Sequence, residues 1–433
     1  MDYRKNACGV DCGASSTRFG SLGGEVHVIP NNMKMLEMGD IVKLEPFGPE
    51  VEQCLEVIIT RNEPCENGFL PAHVLIGQLA SRASSTNERP SIDIPKHKQR
   101  VNIVSIITGV ALAKHLNGLG DTLKLYLALP PAETRGSSDD VAATLVGTYH
   151  VTFPKLNGGI SVDFIIDEVE CQAESSMAST SFFIDRSLKI REQSKKLITG
   201  KALSVNIGAS TTDLAIIENG KYMEMSGVTY KIGGNIIRDV VGQMILEKFG
   251  FEPSISQLER VVVEGRVQIG AQFMDICDIM EAAKKDFADR LIQQMNTYFK
   301  SKDTNIQSFT GIIPSGGGSL ESFYFDENGE RHKTSDSISL YMTESLKKIC
   351  PYVIVADYKD TGEDPRLADI LGLITKIAAD ELKQYRSNPQ SQVKAPAPTP
   401  APAPAPAPVQ NVSETPQVQE QSVTAPVQGT VSQ

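Results

Sequence analysis

The first thirty positions alternate short apolar runs with glycine breaks. Residues 7–12 (ACGVDC) form an apolar run closed by Gly13, and 17–20 and 25–30 read as the next strands, separated by Gly23-Gly24. Residues 123–129 (LKLYLAL) and 162–166 (VDFII) carry the same strand character, while apolar positions at helical spacing predict a helix over 102–116. A second strand series opens at 202–207 (ALSVNI). Segments 214–218 and 221–225 flank Asn219-Gly220, a pair that predicts a hairpin turn. Over 275–299, Ile276, Ile279, Met280, Ala283, Phe287, Leu291 and Met295 fall on one face of a long helix. Residues 311–314 predict a strand running into Gly316-Gly317-Gly318, with a helix to follow at Leu320-Glu321-Ser322. Strands alternating with helices place the chain in the α/β class.

The pattern stops near Ser391. Residues 395–408 read APAPTPAPAPAPAP, and 409–433 are mostly Gln, Val, Ser and Thr. Alternating proline removes half the backbone donors and favours an extended polyproline II spacer. The segment 391–433 is expected to be a disordered tail, acting as a tether or as a ligand for a proline-recognising partner.

An internal echo organises the rest. VDCGASSTRFG (10–20) and VNIGASTTDLA (205–215) share the form V-x-x-G-A-S-x-T about 195 residues apart, and each joins two strands. In such a turn Gly13 and Gly208 let the backbone approach a ligand closely. Ala14, Ser15, Ala209 and Ser210 keep the surface open, and the amide groups form a nest suited to phosphate oxygens. Acidic residues beside the turns, Asp11 and Asp213, fit a metal–nucleotide site, since magnesium is held by one or two carboxylates plus phosphates. Arg18 offers a cation for phosphate charge. A P-loop and a Rossmann-type G-x-G-x-x-G are both absent, so the paired turns carry the nucleotide reading.

Composition narrows the field. The 433 residues hold 42 basic and 53 acidic side chains, a net charge of −11, which argues against coating nucleic acid by bulk charge. No apolar run reaches the ~18 residues of a membrane span, and residues 1–5 lead into a strand without a signal-peptide core. Seven scattered cysteines without a C-x-x-C pair read as reduced thiols, and six histidines show no zinc spacing. A cytoplasmic location is expected.

At the two turns and the triple glycine the chain resembles the actin-like ATPase superfamily. Residues 10–18 resemble its first phosphate motif, 206–213 its second, and 313–320 its adenosine motif. Residues 170–178 resemble the first connecting motif and 364–372 the second. Within the superfamily the sequence is most similar to the plasmid-segregating (ParM-type) bacterial actins. That narrower likeness lies in the D-x-G-small-Ser/Thr start with Arg18, the Glu174-Ser175 step, the Glu-Ala-rich stretch at 281–285 and the late D-P-x-x-x-x-x-x-G at 364–372.

The resemblance implies a duplicated actin-like (ribonuclease H-like) fold of two domains, 1–200 and 201–390, with the nucleotide in the cleft between them. A C-terminal helix at about 365–385 would pack back on the first domain. It implies ATP or ADP (or GTP) with magnesium held by Asp11 through water. The nucleotide-binding set would be Gly13, Ala14, Ser15, Ser16, Arg18, Asn206, Gly208, Ala209, Ser210, Thr211, Asp213, Gly233, Gly234, Glu281, Lys285, Gly316, Gly317 and Gly318. Asp11, Gln172 and Glu174 would be catalytic, with Glu174 favoured to orient the attacking water. Asn206 stands where the family usually has Asp. The implied function is a nucleotide-driven filament that segregates plasmid or other DNA through a DNA-binding adaptor at a partition site, without direct nucleic-acid or membrane binding. A low-turnover scaffold and a small-molecule kinase of the same superfamily are the alternatives.

Overall fold

The computed structural model describes residues 6–38, 54–64, 68–83, 87–319, 323–325, 331–333 and 338–387. The tail at 391–433 and the helix expected at 320–322 lie outside the described residues.

Nine strands form the first sheet: β1 (Ala7–Cys12), β2 (Ser16–Gly20), β3 (His27–Pro30), β4 (Met33–Leu36), β5 (Cys54–Arg61), β6 (Ala72–Gly77), β7 (Thr122–Leu129), β8 (Gly147–Phe153) and β9 (Ile160–Ala173). Their spatial order is β3-β2-β1-β7-β9-β8-β5-β6-β4. The second sheet comprises β10 (Lys201–Ile207), β11 (Thr212–Glu218), β12 (Lys221–Tyr222) and β13 (Val228–Tyr230). After a separate hairpin, β14 (Arg266–Ile269) and β15 (Gln272–Asp275), it adds β16 (Gly311–Ser315). A further short hairpin, β17 (Phe323–Phe325) and β18 (Arg331–Lys333), precedes its last strand, β19 (Ile354–Val355). The order is β12-β11-β10-β16-β19, with β13 on β11. The helices that position the site are α1 (Arg100–Asn117), α2 (Pro131–Gly136), α3 (Glu174–Phe183), α4 (Asn235–Phe249), α5 (Cys277–Ser301), α6 (Ile338–Lys347) and α7 (Ala368–Ser387).

The two sheets begin alike. In each, a buried strand pairs antiparallel with the next through a tight hairpin, and parallel with a later strand: β1 with β2 and β7, β10 with β11 and β16. Successive side chains of a strand face opposite sides. Cys8, Val10 and Cys12 enter a core with Val101, Val104 and Ile107 of α1, while Ala7 joins Ile370, Leu373 and Ile374 of α7. Gly9 lies on the α7 side, where a Cβ would sit 3.1 Å from Ile370 and 3.2 Å from Leu373. β10 repeats the alternation. Leu203, Val205 and Ile207 enter a second core with Phe287 and Leu291 of α5. Ala202 clusters with Ala178 and Ala368, the Ser204 hydroxyl donates to the Ser175 carbonyl (2.7 Å), and Asn206 reaches Asp369. Helices α3 and α7 thus pack on each other and on both sheets, and all of this lies in one compact unit that runs to Ser387.

The α/β class and the strands expected at the two turns are met. Elsewhere the structure corrects the pattern. The strand expected over 221–225 stops at Tyr222, because the Ser226 hydroxyl donates to the Met223 carbonyl (2.6 Å), holding Glu224–Ser226 in a 3-10 turn. The helix expected from 275 starts at Cys277: Asp275 ends β15 and its carboxylate accepts the Cys277 amide (2.8 Å). The strand expected at 162–166 is part of the 14-residue β9, half exposed along its length and so weaker in hydrophobic pattern. Among the described residues no helix is long and apolar enough to cross a membrane.

Candidate functional site

The two echoed turns have the same backbone construction. The Gly13 amide donates to the Ser16 carbonyl (2.9 Å) and the Gly208 amide to the Thr211 carbonyl (2.8 Å). Directly behind, Cys12 pairs with Thr17 and Asp11 with Arg18; in the second, Ile207 pairs with Thr212 and Asn206 with Asp213. Each loop is braced from outside. Asn31 donates to the Gly13 carbonyl (2.5 Å) and accepts from the Thr17 hydroxyl (2.6 Å). The second loop is braced by the start of α4: the Gly234 amide donates to the Gly208 carbonyl (2.9 Å) and the Asn235 amide to the Ala209 carbonyl (2.7 Å). A Cβ on Gly233 would sit 2.7 Å from the Ala209 carbonyl oxygen, so only glycine allows this packing. Among the described residues, the amides of Ala14, Ser15, Ala209 and Ser210 donate to no backbone carbonyl. With their carbonyls tied back and their amides open, the loops are two preformed anion cradles.

Behind the cradles lies a buried group of charges. Asp11, 2% exposed, pairs with Arg18 at 2.6 Å. Glu174 opens α3 and pairs with the Lys96 ammonium. The Lys96 amide donates to the Glu133 carboxylate of α2 (2.8 Å). Burial works against the Lys96 charge, but Glu174 and Asp11 more than offset it, so the ammonium is held firmly protonated. Asp213, 2% exposed, accepts from the Thr229 hydroxyl and lies near enough to Glu174 to feel its charge. Burial, then the Glu174 charge, pushes its carboxyl well above the usual range. The Asp369 carboxyl is raised likewise, by burial and then by Asp11 and Glu174. Asn206 donates to both oxygens of Asp369 (3.1 and 2.9 Å), and its own carbonyl accepts from Ser315.

Among the described residues, these five carboxyl groups (Asp11, Glu133, Glu174, Asp213, Asp369) have Arg18 and Lys96 as their cations. Such an excess of buried negative charge accepts a cation readily. No group of three metal-ligating side chains occurs among the described residues. The donor set therefore fits a hard divalent cation shared with phosphate oxygens and water, and does not fit an all-protein cage.

The third glycine segment abuts the second cradle. Gly316 has φ +84°, and a Cβ there would press on the Ile207 carbonyl and lie 2.7 Å from Asn206 Oδ1. Its amide donates to the Pro365 carbonyl (3.0 Å). Gly318 approaches Gly234 closely: a Cβ on Gly234 would lie 3.4 Å from the Gly318 Cα, while a Cβ on Gly317 would touch the Arg366 side chain at 3.8 Å.

Two sets of sequence-derived candidates stand apart. Gln172 donates to Glu170 (2.8 Å), whose carboxylate meets Lys124 (2.7 Å) and Lys376 (3.0 Å), whereas Glu174 holds Lys96. Glu281 and Lys285 form their own half-exposed ion pair one helical turn apart on α5 (2.5 Å). Conversely, Lys96, Glu133, Asn31 and Asp369 were not among the sequence candidates. Lys96 comes from a 3-10 turn in a segment without periodicity. Asp369 lay inside a recognised motif, and only its contact with Asn206 singles it out.

The solved structure of the actin-like protein Alp7A superposes with a TM-score of 0.66 over 89% of this chain and 99% of its own, at 17% identity. The chain has the actin-like fold. Ta0583, an archaeal actin homolog, superposes with a TM-score of 0.60 over 87% of this chain and 99% of its own, at 15% identity. Bacillus thuringiensis ParM, solved with ATP, gives 0.58 over 87% and 98%, also at 15% identity. Residues 204–322, which include the second cradle and the triple glycine, match the family model described as archaeal actin homologue MreB-like, C-terminal. No curated protein matches the chain by sequence.

Proposed function

We propose that this actin-like chain is a nucleotide-dependent polymerising ATPase, with the nucleotide held between domains of about 1–200 and 201–390. The observation that carries the reading is the pair of equivalent cradles, with open amides at Ala14, Ser15, Ala209 and Ser210, flanking one buried group of charges. ADP, ATP or AMPPNP is present in solved structures of Ta0583 and of Bacillus thuringiensis ParM, which share the fold.

In the proposed reaction the cradle amides and the Ser15, Ser16, Ser210 and Thr211 hydroxyls bind phosphate oxygens. Arg18 and Lys96 offset phosphate charge. Magnesium, held beside Asp11 through water, would supply the remaining counter-charge. Glu174 accepts a hydrogen bond from the attacking water and orients it toward the γ-phosphate, its own carboxylate held in place by Lys96. Gly233, Gly234 and Gly316 to Gly318, which pack closely on the second cradle, would bring backbone against the adenosine end. Since both cradles contact the same triphosphate, loss of the γ-phosphate loosens one half against the other, and this couples nucleotide state to subunit contacts.

Self-association follows by analogy with ParM, one form of which was solved as a non-polymerisable quadruple mutant. The proposed role is DNA segregation through an adaptor, a choice the net charge of −11 favours over direct DNA contact. Asn206 favours a second reading, a low-turnover scaffold. Light scattering and pelleting at micromolar protein, with phosphate release followed in parallel, test both. ATP is expected to raise scattering and ADP to raise it less. Assembly without phosphate release would favour the scaffold, and no ATP-dependent rise would defeat the polymer reading.

A further inference from the structure

Asn206, the counterpart of Asp11 in the internal echo, has a carboxylate partner elsewhere in the fold. Asn206 places its amide against both oxygens of Asp369, in the first turn of α7. Both residues are buried, 4% and 6% exposed. Among the described residues no lysine or arginine forms an ion pair with Asp369; the nearby charges are Asp11, Glu174 and Arg18. A buried carboxylate held by one neutral amide group and the N-terminal turn of its own helix is costly. An aspartate at 206 would set two carboxylates against each other without water between them, so these two sites tolerate one carboxylate and one amide.

The internal echo says what that carboxylate is for. Gly13 and Gly208 differ by 195 residues, as do Asp11 and Asn206, and the same offset relates Glu174 to Asp369 (174 to 369). Glu174 opens α3 as Asp369 opens α7, and these two helices cross at Met177 and Gly372, which are also 195 apart. At these echoed positions the first half therefore presents two carboxylates, Asp11 and Glu174, and the second an amide and a carboxylate, Asn206 and Asp369, with Asp213 in addition.

The geometry points to Asp369 as a positioning carboxylate of the proposed hydrolysis reaction: the acidic group missing from strand β10 has moved across the Asn206–Asp369 hydrogen bond onto helix α7. There, on a helix that packs against β1 of the first sheet, it would hold the hydrated cation and its water beside Asp11 and Glu174. This rests on the nucleotide reading above, and the test separates the two.

The experiment compares wild type, Asp369→Asn, Asn206→Asp and the double exchange Asn206→Asp/Asp369→Asn. Three readouts are needed: phosphate release against magnesium concentration, affinity for a fluorescent ATP analogue, and melting of the nucleotide-free protein. Asp369→Asn is expected to slow phosphate release about 100-fold and raise the magnesium needed for half-maximal rate, with affinity for the analogue within about three-fold of wild type. Asn206→Asp alone is expected to melt several degrees lower, because two buried carboxylates then oppose each other. The double exchange is expected to restore the melting temperature and recover at least about ten-fold of the lost rate. A helix cap would not be rescued in this way. Wild-type rate in Asp369→Asn overturns the inference. So does a double exchange no faster than Asp369→Asn, or an affinity that falls in step with the rate. A wild-type protein that neither binds the analogue nor releases phosphate defeats the nucleotide reading itself.

Discussion

Replacing Glu174 by glutamine is expected to slow phosphate release by about 10³-fold while leaving nucleotide bound. Glu174 is 9% exposed, opens α3, and meets Lys96 on one side and Asp213 on the other. Glutamine keeps the shape and can still accept one hydrogen bond, but it cannot orient a water as a carboxylate does. The fold should survive the change. Lys96 keeps the Asp11 charge nearby, and the group loses one of its surplus negative charges. Single-turnover phosphate release, with binding followed by a fluorescent analogue, separates the two effects. A Glu174→Gln protein that turns over at the wild-type rate would remove Glu174 from the reaction. Gln172 is the control. Its amide is engaged with Glu170, so Gln172→Ala should change the rate less than about three-fold.

Gly372→Ala is expected to be severely destabilising, costing roughly 3–5 kcal/mol. A Cβ at this position would press on the Met177 carbonyl oxygen and lie 2.5 Å from its carbonyl carbon and 2.7 Å from its Cα. All three atoms belong to the α3 backbone, so no side chain can turn aside, and α3 and α7 must separate. Those helices carry Glu174 and Asp369 at their first turns, so whatever folds should also lose activity. Gly136→Ala is the control. A Cβ there meets nothing within 4 Å, and the change should be neutral or stabilising by about 0.5 kcal/mol. Thermal melting of both variants decides the matter, and equal melting temperatures would refute the close crossing.

The echoed turns were legible because their chemistry is local. Gly, Ala, Ser and Thr at fixed spacing between apolar runs describe a hairpin before any tertiary contact is known, and the second strand of each appears at the expected place. The actin-like fold was legible through the order of such motifs. Strands β4 to β6 and β8 were not among the expected elements. Of these, β4 has only four residues and β6 is buried throughout, so neither shows an alternating period, whereas β8 alternates buried with partly exposed positions and its period was legible but overlooked. Glu174 was favoured over Gln172 through the family resemblance, not from composition, since both belong to one motif. The structure sets the two apart: Ala173 closes β9, and Glu174 begins the helix. Lys96 and the Asn206–Asp369 contact were out of reach for a different reason. They join segments 78 and 163 residues apart, and nothing near any of these residues announces the partner.

Hydrogen–deuterium exchange with and without magnesium and AMPPNP tests the shared grip on one nucleotide most directly. The expected result is slowed exchange at residues 13–16 and at 208–211 together, at the same ligand concentration, because the open amides of both loops acquire phosphate partners. Bound nucleotide that protects only one of the two loops, or neither, would contradict it.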